Sequence, residues 1–303
     1  MTALLEATGL GKRYGRREWG LRDCSFVVPA GRVVALVGAN GAGKTTLLRM
    51  AAGLVRPTEG VVRVDGIPTY RKEALSRVAY VGQHKPLYPG FRVAEMVRFG
   101  AATNPAFDER GTTERLRGLG IRTDQKIGRL SGGQRTQVAI ALALGKRADV
   151  VLLDEPMADL DPLSRIALLG ELMTFVADRD CTVVLSSHAL SELSDVCDTL
   201  LLMNEGGLQV AGQIDDLVGG HRLLIGPADA YSGGGRLGVH EVVSARTTER
   251  QATVLVRLRG SLIDPRWTPH TVSLTDVVLA YLTSPEATAL PEPRATDLGQ
   301  VPA

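Results

Sequence analysis

The stretch "GRVVALVGANGAGKTTLLRMAAGL", beginning at Gly31, constrains this chain more than any other. Val33 to Val37 is an unbroken apolar run of strand length, which predicts a strand buried on both faces. Lys44 to Ala52 has helical periodicity and stops at Gly53, a residue suited to a helix C-terminus. The turn between them holds Gly38, Gly41 and Gly43. A turn so rich in glycine either folds tightly or lets its backbone approach a ligand closely.

Gly38-Ala39-Asn40-Gly41-Ala42-Gly43-Lys44-Thr45 fits G-x-x-x-x-G-K-[ST] in full, after a buried strand and at a helix start. Successive backbone N–H groups in such a turn form a nest for anionic oxygens, and the positive helix end adds to it. A side chain at Gly41 or Gly43 would obstruct that approach. Lys44 supplies a point charge for β- and γ-phosphates, the Thr45 hydroxyl suits Mg²⁺, and Thr46 continues the seat. The turn reads as a phosphate site.

Two further buried runs, Val150 to Leu153 and Thr182 to Ser186, are separated by helical stretches, which argues for an α/β domain with a mainly parallel sheet. "GVVRVDGIPT" from Gly60 alternates in polarity and suits an antiparallel outer sheet. The stretch of about 84–148 is helix-rich, with candidates at Val93–Ala102, Asp108–Leu119 and Gly132–Gly145, and reads as an inserted helical subdomain. After about Gly219 the composition changes again. "HEVVSARTTERQATVLVRLRG" reads as two strands about a polar turn and "SLTDVVLAYLTS" as a short helix capped by Ser273 with Asp276. Residues 284–303, rich in Pro, Ala, Glu and Thr, are expected to be disordered.

At the end of the run "VVLLDEP", Asp154 suits a Mg²⁺ ligand and Glu155 a base for an attacking water. "LSGGQ" places a serine N-cap and two glycines before the helix "GGQRTQVAIALAL", a second N-terminal anion site. One chain holding one nucleotide has no evident use for two such sites, so the second makes sense if it serves a nucleotide held by another molecule.

In this order the motifs resemble those of ABC-type ATP-binding domains over roughly residues 4–218. The resemblance implies a P-loop NTPase core with an antiparallel β subdomain and the inserted helical subdomain in 1–218. A small C-terminal α+β region fills 219–283. It also implies that Tyr14 stacks on adenine, that Gln83 reaches Mg²⁺ and links the site to a transmembrane partner, and that His188 contacts the γ-phosphate. By the same resemblance Ser131, Gly132, Gly133 and Gln134 act in trans, closing over ATP held by the Lys44 and Thr45 of a paired ATP-binding subunit. "MADLDP" resembles the loop that crosses the dimer interface. Leu160 and Asp161 are retained, whereas Ala158 and Asp159 stand where the family more often has serine and glycine.

The implied activity is ATP hydrolysis with Mg²⁺, using Lys44, Glu155 and His188, in a homodimer or paired subunit that drives separate transmembrane permeases. "PLYPGFRVAEMVRFGAA" and "SLTDVVLAYLTS" resemble the exporter group with ABC-2-type permeases; an importer is the alternative, and a soluble ABC ATPase on ribosomes or DNA a more distant one. A P-loop kinase or regulatory switch would require "LSGGQ" and His188 to be accidental.

Bulk properties narrow the partners. Lys and Arg number 35 against 33 Asp and Glu. That balance, without a basic stripe, gives no expectation of a nucleic-acid partner. The three cysteines, Cys24, Cys181 and Cys197, lie far apart with no metal-ligand spacing, as in a reducing cytosol. No secretory signal is visible at the start, and no apolar run reaches the roughly 18 residues that span a bilayer. With the permease that the resemblance implies, the expected location is cytoplasmic, peripheral on the inner face of the membrane.

Overall fold

The computed structural model describes residues 3–15, 18–188, 193–194, 196–261 and 264–290. At its centre is a six-stranded sheet in the order β10-β9-β3-β8-β7-β6. These strands are β3 (Val33–Gly38), β6 (Val78–Val81), β7 (Val150–Asp154), β8 (Thr182–Ser187), β9 (Thr199–Asn204) and β10 (Gly207–Gln213). All neighbours run parallel except the β9–β10 hairpin.

The unbroken apolar character of β3 follows from its surroundings. Val33, Ala35 and Val37 join one hydrophobic core, while Val34 and Leu36 join another on the opposite face. β7 behaves alike, with Val151 and Leu153 on one face and Val150 and Leu152 on the other. With both faces covered, no position of the strand calls for a polar side chain.

One face carries α1 (Lys44–Ala51) and a second, antiparallel sheet in the order β2-β1-β4-β5. Its strands are β1 (Ala3–Tyr14), β2 (Glu18–Pro29), β4 (Glu59–Val64) and β5 (Ile67–Pro68). The other face is covered by α5 (Gly132–Gly145), α6 (Pro162–Arg179) and α8 (Leu274–Thr283). A short α2 (Lys72–Leu75) precedes β6. Between β6 and β7 lie α3 (Val93–Thr103), α4 (Glu109–Gly118) and α5, around a separate apolar cluster of Val93, Val97, Leu116, Ile121, Ile127 and Val138.

After α7 (Ile214–Gly219) come β11 (His221–Pro227), β12 (Arg236–Leu237), β13 (His240–Thr247), β14 (Gln251–Arg257) and β15 (Thr268–His270). They form an antiparallel sheet in the order β12-β13-β14-β11-β15. One side packs around Trp267; the other gives Val243 and Leu255 to the main core together with Val277 and Tyr281 of α8. Ser273 and Asp276 cap α8 reciprocally, the serine hydroxyl accepting from the Asp276 amide at 3.2 Å and the carboxylate from the Ser273 amide at 2.8 Å.

The expectation of disorder over 284–303 does not hold for residues 284–290. Leu290 is 8 % exposed, its amide donates to the Gln209 carbonyl at 2.8 Å, and its carbonyl accepts from Ala211. The Gln209 side chain also donates to the Ser284 carbonyl at 2.9 Å. Composition suggested a solvated tail, but β10 is the edge of the central sheet, and its free backbone groups give a passing strand a place to bond. Residues 291–303 lie outside the described residues.

His221 fastens the C-terminal sheet to α7 and α8. Its Nδ1 lies 2.6 Å from the Leu217 carbonyl, which can only accept, so Nδ1 carries the proton. Nε2 then accepts from the Tyr281 hydroxyl at 3.1 Å. Burial pushes the His221 pKa below its ordinary value and that of Tyr281 up to about 12.

Leu290→Ala should lower stability to urea by about 2 kcal/mol, where a disordered tail would give no change. The neutral state of His221 sets a pH dependence as well. The unfolded chain takes up a proton near pH 6.5 and the folded chain only below that, so stability falls as pH drops through this window, by at most about 1.4 kcal/mol per pH unit from this residue. Denaturation of His221→Gln over the same range should show a shallower slope.

Candidate functional site

Three neighbouring strands of the central sheet end side by side, and each is followed by a predicted site residue. Gly38 closes β3, Asp154 closes β7 with Glu155 next, and His188 follows β8. Adjacent strands lie about 4.8 Å apart, so the side chains meet without long connections.

After β3 the chain turns through Gly41 at φ +83° and Gly43 at φ +100°, then enters α1 at Lys44. A Cβ on Gly43 would stand 2.6 Å from the Gly20 carbonyl oxygen of β2, which forces the backbone-only crossing. A Cβ on Gly41 would meet no protein atom within 4 Å. Its constraint is the left-handed backbone together with the open space a ligand would use.

The Lys44 side chain folds back over this turn. Its ammonium donates to the Gly38 carbonyl at 2.7 Å and the Ala39 carbonyl at 3.2 Å, and stands 3.9 Å from Glu155 Oε1. Burial lowers its pKa, and the charges of Glu155 and Asp154 oppose that shift. The other Glu155 oxygen, Oε2, lies 2.9 Å from His188 Nδ1; a carboxylate only accepts, so Nδ1 donates. Both oxygens of Glu155 thus face a cationic or N–H group. Glu155 itself takes φ +50°, uncommon outside glycine and typical of strained functional positions.

Asp154 is buried. Its Oδ1 accepts from the Ser186 hydroxyl at 2.8 Å and its Oδ2 from the Tyr80 hydroxyl at 3.4 Å. Ser186 in turn accepts from the Glu155 amide at 2.9 Å, so one β8 hydroxyl orients both acidic residues. Sequence reasoning missed Ser186 and Tyr80. The available signal was a hydroxyl inside the apolar run of β8, two positions before His188, since a buried polar group needs a partner.

Thr45, Gln83 and Asp154 line one groove of about 650 Å³ beside α3 and α5. Among the described residues no group of three or more His, Cys, Asp or Glu could hold a metal. A hydroxyl, an amide and one carboxylate are the sparse oxygen donors that Mg²⁺ uses when phosphate and water complete its shell, so these residues fit that ion. Tyr14 ends β1, is 42 % exposed and has its hydroxyl 3.4 Å from Thr46 Oγ1, which rules out a core tyrosine. Gly20 makes room for that ring, because a Cβ there would stand 2.7 Å from it.

The expected second anion site is the start of α5. The Ser131 hydroxyl accepts from the Gln134 amide at 3.1 Å, and the Gln134 side-chain oxygen accepts from the Ser131 amide at 3.1 Å. Gln134 is therefore half of a capping box, a role its type and spacing allow to be read directly. Among the described residues no hydrogen bond or ion pair joins Ser131, Gly132, Gly133 or Gln134 to Lys44, Thr45 or Glu155. Gly132 and Gly133 pack instead on the turn after β7, where a Cβ on Gly132 would lie 3.7 Å from that of Asp159 and one on Gly133 3.6 Å from Leu160. Asp161 caps α6 by accepting from the Ser164 amide at 3.0 Å.

A glycine nest at the start of α1, with Asp154 and Glu155 at the end of a parallel strand of the same sheet, defines a P-loop nucleotide-binding domain. Residues 21–158 match the sequence family described as ABC transporter. The chain is 37 % identical over 218 residues to the phosphonates import ATP-binding protein PhnC 1 of Natronomonas pharaonis, covering 68 % of this chain and 91 % of that protein. With that coverage, the chain belongs to the ATP-binding proteins of the ABC transporter family. It is 35 % identical over 221 residues to the molybdenum import ATP-binding protein ModC of Mycobacterium tuberculosis, covering 67 % of this chain and spanning only 60 % of that relative's length. To the Nod factor export ATP-binding protein I of Burkholderia lata it is 34 % identical over 211 residues, 67 % of this chain and 69 % of that one. A solved ATP-binding subunit of an ABC transporter superposes with a TM-score of 0.64 at 29 % identity, over 71 % of this chain and 91 % of the other.

The two glycines separate strain from crowding. Gly41→Ala should cost about 1 kcal/mol from its backbone alone, and Gly43→Ala distinctly more, because it adds a clash with Gly20. Chemical denaturation of the two variants measures the difference.

Proposed function

We propose that this chain is the ATP-hydrolysing subunit of a membrane transporter. The observation that carries the reading is the Lys44–Glu155–His188 chain of contacts beside a glycine nest, with Asp154 held ready by Ser186 and Tyr80. Phosphates entering the nest compete for the Lys44 ammonium against the Gly38 and Ala39 carbonyls. As Lys44 turns to the β- and γ-phosphates, Glu155 Oε1 loses its cation and becomes free to accept a proton from water. The water oxygen then attacks the γ-phosphorus, the bond to the β-bridging oxygen breaks, and ADP and phosphate leave. His188 holds Glu155 through Oε2, which leaves its other nitrogen to contact the γ-phosphate. Mg²⁺ held by Thr45, Gln83 and Asp154 would neutralise phosphate charge.

Tyr14 offers a face for adenine beside Thr46. Ser131, Gly132 and Gly133 serve ATP held by a second copy or a paired subunit: their helix start is an anion seat with no phosphate-binding lysine of its own. The hydroxyl of Ser131 accepts inside its own cap, and its proton is left to donate outward. Among the described residues no helix is long and apolar enough to cross a membrane. The reading takes the transmembrane part as separate subunits, as the family resemblance implies, with this chain bound to them at the inner face.

For the direction of transport, import is supported by the activities carried in the names of the ModC and PhnC relatives. Export is supported by the Nod factor relative, and by the resemblance of "PLYPGFRVAEMVRFGAA" and α8 to exporters with ABC-2-type permeases.

Glu155→Gln should lower the ATP hydrolysis rate at least about 100-fold while leaving ATP binding and ATP-dependent dimerisation intact. Phosphate release and size-exclusion chromatography with ATP measure both. Retained hydrolysis would overturn the role of Glu155. With ATP present, the same variant should capture a polytopic membrane protein from detergent-solubilised membranes; its neighbouring transport components decide between import and export. Capture of ribosomal or DNA-bound proteins alone would overturn the transporter reading.

A further inference from the structure

Lys85 lies two residues past Gln83, in the turn that follows β6, with φ +43°. Its side chain is only 6 % exposed, and its ammonium meets Asp159 Oδ2 at 2.5 Å. An enclosed ammonium is costly without a counter-charge, so the pair resists separation. Asp159 stands four residues after Glu155, between Met157 and Leu160, both buried in the main core. Its own backbone and Cβ lie against Gly132 and Gly133 at the opening of α5. Lys85 and then Arg135 of α5 hold the Asp159 carboxyl below the usual range. Gln83, Lys85, Gly132, Arg135 and Asp159 line one cleft of about 520 Å³.

Three segments with different tasks therefore meet at one ion pair. The Gln83 turn reaches the groove beside Thr45 and Asp154. The turn after β7 carries Glu155. The first turn of α5 carries the anion seat that faces outward. A displacement of the Gln83 turn pulls Asp159 through Lys85, and the Asp159 backbone lies between the loop behind Glu155 and the α5 glycines.

We propose that Lys85–Asp159 is a positioning latch that makes the half-site this chain uses for its own nucleotide and the half-site it offers to a partner's nucleotide shift together. This rests on the reading above, in which two subunits share each ATP. Neither residue touches the reacting atoms. What the latch controls is the coupling between the two sites of a dimer.

The test uses the full chain as Lys85→Met, Asp159→Asn and the swapped double variant Lys85→Asp/Asp159→Lys. Hydrogen exchange of the nucleotide-free protein should accelerate at least about tenfold at 83–87 and 157–161 in each single variant. ATP hydrolysis should fall about fivefold in kcat with KM within about twofold, and the Hill coefficient for ATP should move toward one. The swapped pair should restore exchange and the Hill coefficient, which a residue that merely supports the fold would not do. Lys85→Met removes the ammonium together with its need for a partner, so it carries the test if Asp159→Asn does not fold. Unchanged exchange in Lys85→Met overturns the latch, as does a swapped variant no better than the single ones. Exchange that responds as expected in a chain unable to hydrolyse ATP keeps the latch as a structural link and overturns the ATPase reading instead.

Discussion

The parallel alignment of β3, β7 and β8 is the constraint on which the site depends. Parallel strands all end on the same edge, so whatever follows each one is delivered to the same place. The nest after β3, Glu155 after β7 and His188 after β8 are neighbours for that reason alone. The alignment requires both faces of the sheet to be covered. The antiparallel sheet with α1 covers one, and α5, α6, α8 and the C-terminal sheet cover the other.

Charge balance within that edge explains the arrangement of the candidate site. Lys44 is buried, and an ammonium in that position must be compensated. Two loop carbonyls and the Glu155 carboxylate supply the compensation. The same contacts occupy the proposed base, so in the proposed reading Lys44 and Glu155 restrain each other. Around them, Ser186 and Tyr80 fix Asp154, which leaves little of the geometry to solvent or chance.

The candidate site residues were legible because the proposed chemistry needs particular residue types at short spacing. Gly38 to Thr45 is contiguous, Asp154 and Glu155 are adjacent, and Ser131 to Gln134 form one helix start. Ser186, Tyr80 and Gly20 were not legible as partners, because each acts across a sheet at a separation of thirty residues or more from what it supports, or, for Gly20, through a ring it must accommodate. The ordering of 284–290 was illegible for a similar reason: a segment poor in apolar residues gains its place from the free edge of β10, and composition carries no record of an edge.

By itself the sequence determined the local units: a buried strand, a glycine turn with its lysine, two helix starts able to hold anions, and a second set of strands after residue 219. Local backbone sterics, periodicity and hydrogen-bond capping are enough to decide these, since each acts within a few residues. Only the tertiary structure decided which units meet. It set Lys44 against Glu155, Glu155 against His188, and Lys85 against Asp159. Long-range ion pairs form only after folding has brought distant segments together and removed water from between them, and a one-dimensional pattern specifies neither event.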